Sequence, residues 1–320
     1  EGVRAIVQVG TGGPEVLQLQ EVPTPEVLPE HLLVRVKAIG VNYVDTMIRR
    51  GWFPTPQRQP FIPGIEVAGV VEAVGEGVIG WQVGQRVMAG GVYGAYAEFC
   101  LVPANLAMPV PENLTDEEAA AVPVNWTTAY LAMVSTGKLQ PGEKVLIHAA
   151  AGGVGTAAVQ IAKLLGATVF ATVSSSEKAQ LVQSLGADVT INYEHEDFEA
   201  VIMERTNGQG VNLVTECVGG EVFTKSVRCL ANGGRLVMYG RASGRDGTIS
   251  SGELYKRRGT ITVISRSEEA TKEAVEKILS WLREGKVKPI VGEVHPLGDA
   301  GIAQHRLETR RTKGKVVLVP

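Results

Sequence analysis

The chain has 320 residues, more than a single core usually sustains, and its 44% apolar content is ordinary for a globular protein, so two domains are expected. A net charge of −3 provides no long-range attraction for nucleic acid, and the apolar runs fall far short of the roughly 20 residues of a membrane-spanning helix. The three cysteines, Cys100, Cys217 and Cys229, are far apart and never form a Cys-x-x-Cys pair, which argues against a disulfide framework and a cysteine zinc cluster.

From residue 1 to about 120 the chain reads as short β-like runs broken by Gly and Pro: RAIVQV, HLLVRVKAIGV, VAGVVEAVGEGV, QRVMAG and YAEFCLV. This spacing predicts a bent all-β unit. The segment WFPTPQRQPFIPG carries Pro54, Pro56, Pro60 and Pro63, which remove ladder donors and predict a loop. The beginning, Glu1-Gly2-Val3-Arg4, lacks the basic and apolar regions of a secretory leader, so a cytoplasmic protein is expected.

After residue 120 the rhythm becomes strand, helix, strand, helix. KVLIHA precedes a helix near Val154 to Leu165; TVFATV, a helix near Glu177 to Leu185, VTINY, a short helix, VNLVTEC, a helix near Phe223 to Leu230, RLVMYG and TITVIS follow. Such alternation predicts an α/β fold with a doubly wound parallel sheet covered on both faces. Ala274, Val275, Ile278, Leu279 and Leu282 recur at helical spacing, and GKVVLVP reads as a last strand. With the sheet already complete, this tail is assigned to the first domain. The expected domains are 1–124 with 266–320, and 125–265.

The turn between KVLIHA and its helix is nearly bare of side chains. Ala150-Ala151-Gly152-Gly153-Val154-Gly155 matches the dinucleotide template G-x-G-x-x-G with Ala in the first glycine position. Gly152 lets the main chain approach a pyrophosphate, Gly155 lets helix and strand pack closely, and the helix start offers free N–H donors. NAD sites usually place an acid about 20 residues on, to accept from the ribose 2′-OH. Here Thr172-Val173-Ser174-Ser175-Ser176 holds hydroxyls, and Lys178 follows. A carboxylate would repel a 2′-phosphate, whereas hydroxyls and an ammonium would hold one, so NADP(H) is the expected cofactor.

GEKVLIHAAAGGVGTAAVQIAK, Gly142 to Lys163, resembles the cofactor signature of the quinone oxidoreductase and zeta-crystallin branch of the medium-chain dehydrogenase/reductase superfamily. The resemblance continues through GGPEVLQLQEVPTPE, VNYVDTMIRRG, PGIEVAGVVEAVGEGV, NWTTAYLAM, INYEHEDF and ETRRTKGKVVLVP. It implies a GroES-like β-rich catalytic domain joined to a Rossmann domain. It also implies cofactor contacts at Asn42, Thr128, Ala151, Gly152, Gly153, Val154, Gly155, Ser174, Lys178, Tyr193, Cys217, Tyr239, Gly240, Arg241 and Arg310. Lys178, Tyr193 and Arg310 resemble that branch's 2′-phosphate clamp.

Zinc-dependent members of the superfamily ligate the metal through a Cys in GVC, a His in GHE and a later Cys. This chain has Asn42 in GVN, Ile65 in GIE and Val124 in those places, so the expected chemistry uses no zinc. A metal-free hydride transfer suits a quinone or another conjugated carbonyl, because the arriving charge spreads over the acceptor. Asn42 and Tyr43 are candidate donors, and Asp45 a candidate orienting group. Met47 and Phe53 stand where well-known members of the branch carry tyrosines, which de-polarises the presumed substrate pocket.

The expected function is thus an NADPH:quinone oxidoreductase. An NADPH-dependent enone, enal or enoyl reductase and a non-catalytic, crystallin-like NADPH-binding protein are the alternatives. A homodimer, through an edge strand such as Thr260 to Ile264, is what the resemblance suggests; neither nucleic acid nor a membrane is expected as partner.

Overall fold

The computed structural model describes residues 2–320 and divides into two compact units: Val124 ends the first stretch of unit 1, Asn125–Lys288 form unit 2, and Pro289–Pro320 return to unit 1. The return, expected near 266, comes instead at Lys288/Pro289.

Unit 1 opens with β1 (Gly2–Gln8), β2 (Leu17–Pro23) and β3 (His31–Val41), followed by helix α1 (Tyr43–Arg49). After the proline-rich loop come β4 (Glu66–Val74), β5 (Arg86–Gly90), β6 (Phe99–Pro103), β7 (Ala107–Pro109) and α2 (Asp116–Ala119). The chain passes into unit 2 within α3 (Pro123–Tyr130), continued by a wider turn over Leu131–Thr136.

Unit 2 alternates β8 (Lys144–Ile147), α4 (Gly153–Leu164), β9 (Thr168–Val173), α5 (Ser176–Ser184), β10 (Val189–Asn192), α6 (Phe198–Arg205), β11 (Val211–Glu216), α7 (Gly220–Arg228) and β12 (Leu230–Met238). It ends with α8 (Ser251–Arg257), β13 (Thr260–Val263) and α9 (Glu268–Arg283). The return segment adds β14 (Val291–Pro296), α10 (Ala300–Glu308) and β15 (Lys315–Val319) to unit 1.

The sheet of unit 2 runs β10-β9-β8-β11-β12-β13, every pair parallel. Its order reverses at β8, so the crevice beyond the carboxyl ends of β8 and β11 is the switch point at which doubly wound folds bind ligands. Val145, Leu146, Ile147, Val169, Phe170, Leu213 and Val214 are all buried, as strands covered on both faces require.

Helix α9 explains the later return. Its apolar stripe, Ala274, Ile278, Leu279 and Leu282 with Trp281, is buried; the Trp281 ring lies 5.7 Å from Tyr130, and Tyr130 Oη donates to Glu273 at 3.2 Å. Amphipathicity specifies that a helix has a buried face, not which core receives it.

Unit 1 is built on a sheet of order β14-β15-β3-β4-β5-β7, in which β6 also pairs with β3, beside the antiparallel β1-β2 pair. Ile6, Val34, Val36, Ile39, Val67, Val71, Tyr96 and Leu318 fill its core. The expected all-β character is corrected by α1, α2 and α10. The sequence VNYVDTMIRR forms α1 because Asp45 accepts the N–H of Asn42 at 3.0 Å and starts the helix. The WFPTPQRQPFIPG segment contains neither helix nor strand beyond an isolated bridge at Phe61, consistent with its prolines.

Candidate functional site

In unit 2, the carboxyl ends of five neighbouring strands gather most of the expected cofactor residues. β8 leads through His148 into the bare turn, where Ala149 adopts a positive φ of 50° and its carbonyl accepts from the Gly152 N–H at 3.1 Å. The same carbonyl stands where a Cβ on Gly155 would fall, with the Ala150 backbone at 2.6 Å, so only glycine lets α4 start this close to β8. At Gly153 a Cβ would meet the side chain of Asn125. Gly152 precedes α4 without a side-chain cap, leaving the first N–H groups of a 12-residue helix directed at any anion set there.

His148 does not reach outward. Its Nδ1 lies 2.9 Å from Thr172 Oγ1 and its Nε2 2.8 Å from Ser226 Oγ, while Ser226 Oγ donates to Val222 O at 2.6 Å. The imidazole therefore donates from Nε2 and accepts at Nδ1. Burial pushes its pKa down to about 3, so it stays neutral and braces the turn between β9 and α7.

Beyond β9, Lys178 Nζ donates to Ser174 Oγ at 3.0 Å, and Ser175 Oγ accepts the Lys178 N–H at 3.2 Å as the cap of α5. Tyr193 follows the adjacent strand β10, and its N–H bonds to Val173 O at 3.1 Å, so Ser174, Lys178 and Tyr193 share one corner of the sheet. Arg310 lies in unit 1, exposed, with a φ of 61° just after α10.

On the other side of the switch point, Cys217 follows β11 and Tyr239 follows β12; the Tyr239 N–H bonds to Glu216 O at 2.9 Å. Burial pushes the Cys217 thiol up to about 12 and the Tyr239 phenol well above 10, so both keep their protons. Glu216, fully buried, accepts from the Val218 and Gly219 N–H groups at 2.7 and 3.0 Å and fixes this loop. Gly240 continues it, and Arg241 pairs with Asp246. Thr128, on α3, accepts from Arg266 Nη1 at 3.3 Å.

In unit 1, Asn42, Tyr43, Asp45 and Met47 are brought together at α1. The Asn42 amide is engaged at both ends, its Oδ1 accepting from Lys315 Nζ at 2.8 Å and its Nδ2 donating to Glu66 Oε1 at 3.0 Å. Asp45 Oδ2 accepts from the Asn42 N–H at 3.0 Å and from Tyr96 Oη at 2.7 Å, while Oδ1 has no hydrogen-bond partner among the described residues. Burial, opposed in part by those bonds, pushes the Asp45 carboxyl from 3.8 up to about 6. Tyr43 Oη accepts from Arg50 Nη2 at 3.4 Å. Met47 is half-buried and Phe53 lies exposed in the proline-rich loop.

Sequence reasoning missed Glu66, Lys315 and Asn125. Glu66 and Lys315 read as a strand-end acid and a base in a terminal strand, and only the pairing of distant strands joins them. Asn125 is buried against Gly153, and its Oδ1 has no partner among the described residues.

The three positions that ligate zinc in zinc-dependent relatives hold no zinc donor here. Asn42, Ile65 and Val124 offer no thiolate or imidazole, the Asn42 carbonyl is taken by an ammonium, and the Val124 N–H donates to Glu66 Oε2 at 2.7 Å. These residues do not fit a zinc ion. Among the described residues no helix is long and apolar enough to cross a membrane.

Residues 28–112 match the alcohol dehydrogenase GroES-like domain family and residues 153–283 the zinc-binding dehydrogenase family. The chain is 37% identical over 316 residues to a quinone oxidoreductase of Pseudomonas aeruginosa, covering 97% of each, and 36% identical over 331 residues to a 2-haloacrylate reductase of a Burkholderia species, covering 99% of each. The crystal structure of Escherichia coli quinone oxidoreductase complexed with NADPH superposes with a TM-score of 0.91 at 35% identity, over 100% of this chain and 99% of that one. With near-complete coverage at this identity, and with both a GroES-like unit and a doubly wound Rossmann sheet, the chain belongs to the quinone oxidoreductase and zeta-crystallin branch of the medium-chain dehydrogenase/reductase superfamily.

Proposed function

We propose that this oxidoreductase transfers a hydride from NADPH to a quinone or a similar conjugated carbonyl compound without zinc. The observation that carries the reading is the uncapped glycine turn at the start of α4 together with the Ser174–Lys178 pair at the neighbouring strand end. Gly152 and Gly153 admit the pyrophosphate to the main chain, Ala151 and Val154 border it, and Gly155 keeps the helix start in place. Ser174, Lys178 and Tyr193 hold the adenosine 2′-phosphate by charge-assisted hydrogen bonds. Thr128, Cys217, Tyr239, Gly240 and Arg241 contact the rest of the coenzyme through protonated or neutral groups. Bound NADPH supplies the hydride.

In unit 1 the residues at α1 serve the acceptor. Tyr43 donates its phenolic proton toward the developing oxyanion, and Met47 and Phe53 form apolar wall. Asn42 acts by holding the start of α1, since both ends of its amide are already engaged. A second reading, reduction of a conjugated alkene, is favoured by those two apolar residues and by the related 2-haloacrylate reductase. The three free cysteines fit a reducing compartment, and cytoplasmic residence belongs to this reading. So does a homodimer built on β13, which among the described residues pairs only with β12 and carries Val263 at 65% exposure.

The test follows absorbance at 340 nm with NADPH and NADH in parallel, against benzoquinones, naphthoquinones and crotonaldehyde-type enals. Faster oxidation of NADPH by quinones without added metal is expected. Turnover of enals alone selects the second reading, and absence of turnover with every acceptor refutes both. Light scattering after gel filtration tests the dimer, which a Val263→Lys variant should dissociate.

A further inference from the structure

Three strand ends of unit 1 converge on one buried charge pair. β15 lies beside β3, with Val316 opposite Val41, and β3 lies beside β4, with Ile39 opposite Val67, so Lys315, Asn42 and Glu66 extend from neighbouring ends. Lys315 is 2% exposed and Glu66 0%. Lys315 Nζ donates to Glu66 Oε1 at 2.7 Å and to Asn42 Oδ1 at 2.8 Å, and Asn42 Nδ2 closes the ring to Glu66 Oε1 at 3.0 Å. Gly40 clears the space, since a Cβ there would run into the Glu66 carboxylate.

An amide can be turned end for end with little change in shape, and only its partners decide which end carries oxygen. An ammonium has only donors and a carboxylate only acceptors, so a Lys on one side and a Glu on the other leave Asn42 one orientation. We infer that Lys315 is a positioning residue of this reductase: its ammonium, bonded at once to Asn42 and Glu66, fixes the Asn42 side chain and with it the first turn of the helix that presents Tyr43 and Met47. Asn42 lies at the junction, its side chain bound to the pair and its backbone N–H bound to Asp45.

The inference rests on the reading of α1 as the acceptor side of a reductase, and its test separates charge balance from orientation. Lys315→Met alone strands a buried carboxylate and is expected to unfold easily. Lys315→Met/Glu66→Gln removes both charges at equal size; the Val124 N–H, 2.7 Å from Glu66 Oε2, keeps the glutamine carbonyl at that position, so the glutamine NH2 faces Asn42 and Asn42 turns over to accept from it. The double variant should melt near the wild type and keep its NADPH affinity. Its kcat should fall by about 100-fold, the scale of an ångström-level misplacement, with faster hydrogen exchange over residues 42–50. Lys315→Arg, which keeps a donor-only cation, should retain most activity.

A double variant with wild-type kcat and exchange shows that Lys315 only neutralises Glu66 and overturns the proposal, as does one that fails to fold. Should the wild type reduce no acceptor, the functional reading fails, and unchanged hydrogen exchange in the double variant then overturns the positioning role by itself.

Discussion

Replacing Asp45 by Asn isolates one buried ionisation. Asp45 Oδ2 is satisfied by Asn42 and Tyr96, Oδ1 has no partner among the described residues, and burial raises the carboxyl from 3.8 to about 6. The folded protein thus holds this proton more tightly than the unfolded chain. The resulting stability is fully present below pH 3.8 and is lost as pH rises through about 6. A rise of about two units at 1.36 kcal/mol each amounts to about 3 kcal/mol. Asparagine has the shape of the protonated acid and can accept both existing bonds through its carbonyl. At pH 4 wild type and Asp45→Asn should therefore be nearly equally stable, and above pH 7 the variant should be more stable by about 3 kcal/mol. Urea unfolding of both proteins between pH 4 and 8 measures the difference, and comparing the two cancels the opposite pH dependence of carboxylates held low by partners, such as Glu143 beside Arg235 and Glu293 beside Arg306. A stability difference independent of pH, or one that grows toward acid, refutes the reasoning.

Arg49→Ala should destabilise by about 1–3 kcal/mol, because Arg49, 1% exposed, bonds Gly12 O, Gln304 and Glu308, and its loss leaves the buried Gln304 Oε1 without its donor and Glu308 with only the longer Arg50 and His305 contacts; denaturant unfolding reads this. Gly155→Val should cost about 1–3 kcal/mol of stability and abolish coenzyme binding by calorimetry, since its Cβ would enter the Ala149–Ala150 backbone. Lys178→Glu should weaken NADPH binding by about 100-fold, the equivalent of losing one charge-assisted hydrogen bond and adding repulsion, while leaving NADH binding nearly unchanged. An equal loss for both coenzymes would place Lys178 away from the 2′-phosphate.

The Rossmann half was readable because its signals are local. The glycine turn must lie between a strand and a helix, the hydroxyl-rich strand end follows at a set distance, and strands covered on both faces are continuously apolar, as Val145–Ile147 are. The helices α4, α5 and α6 follow from the same rhythm. The other half was less readable. The helix at Tyr43–Arg49 is short and interrupted by polar residues, and depends on Asp45 capping Asn42 and on Arg49 bonding Gln304 and Glu308, partners more than 200 residues away. α10 likewise has no sharp apolar stripe, and burying Ala300 and Ala303 against the β core is what stabilises it.

Sequence alone therefore determined the doubly wound class and the glycine turn, which depend on residues near one another along the chain; chain length gave the two-domain plan, and the family resemblance located the zinc-ligand positions and their lack of thiolate or imidazole. Tertiary structure decided that α9 packs in unit 2, that Asn42 is held from both ends, and that Lys315 and Glu66 form a buried pair. Each of these depends on strands or helices meeting across long stretches of chain, where burial makes an unpaired charge costly and local sequence cannot name its partner.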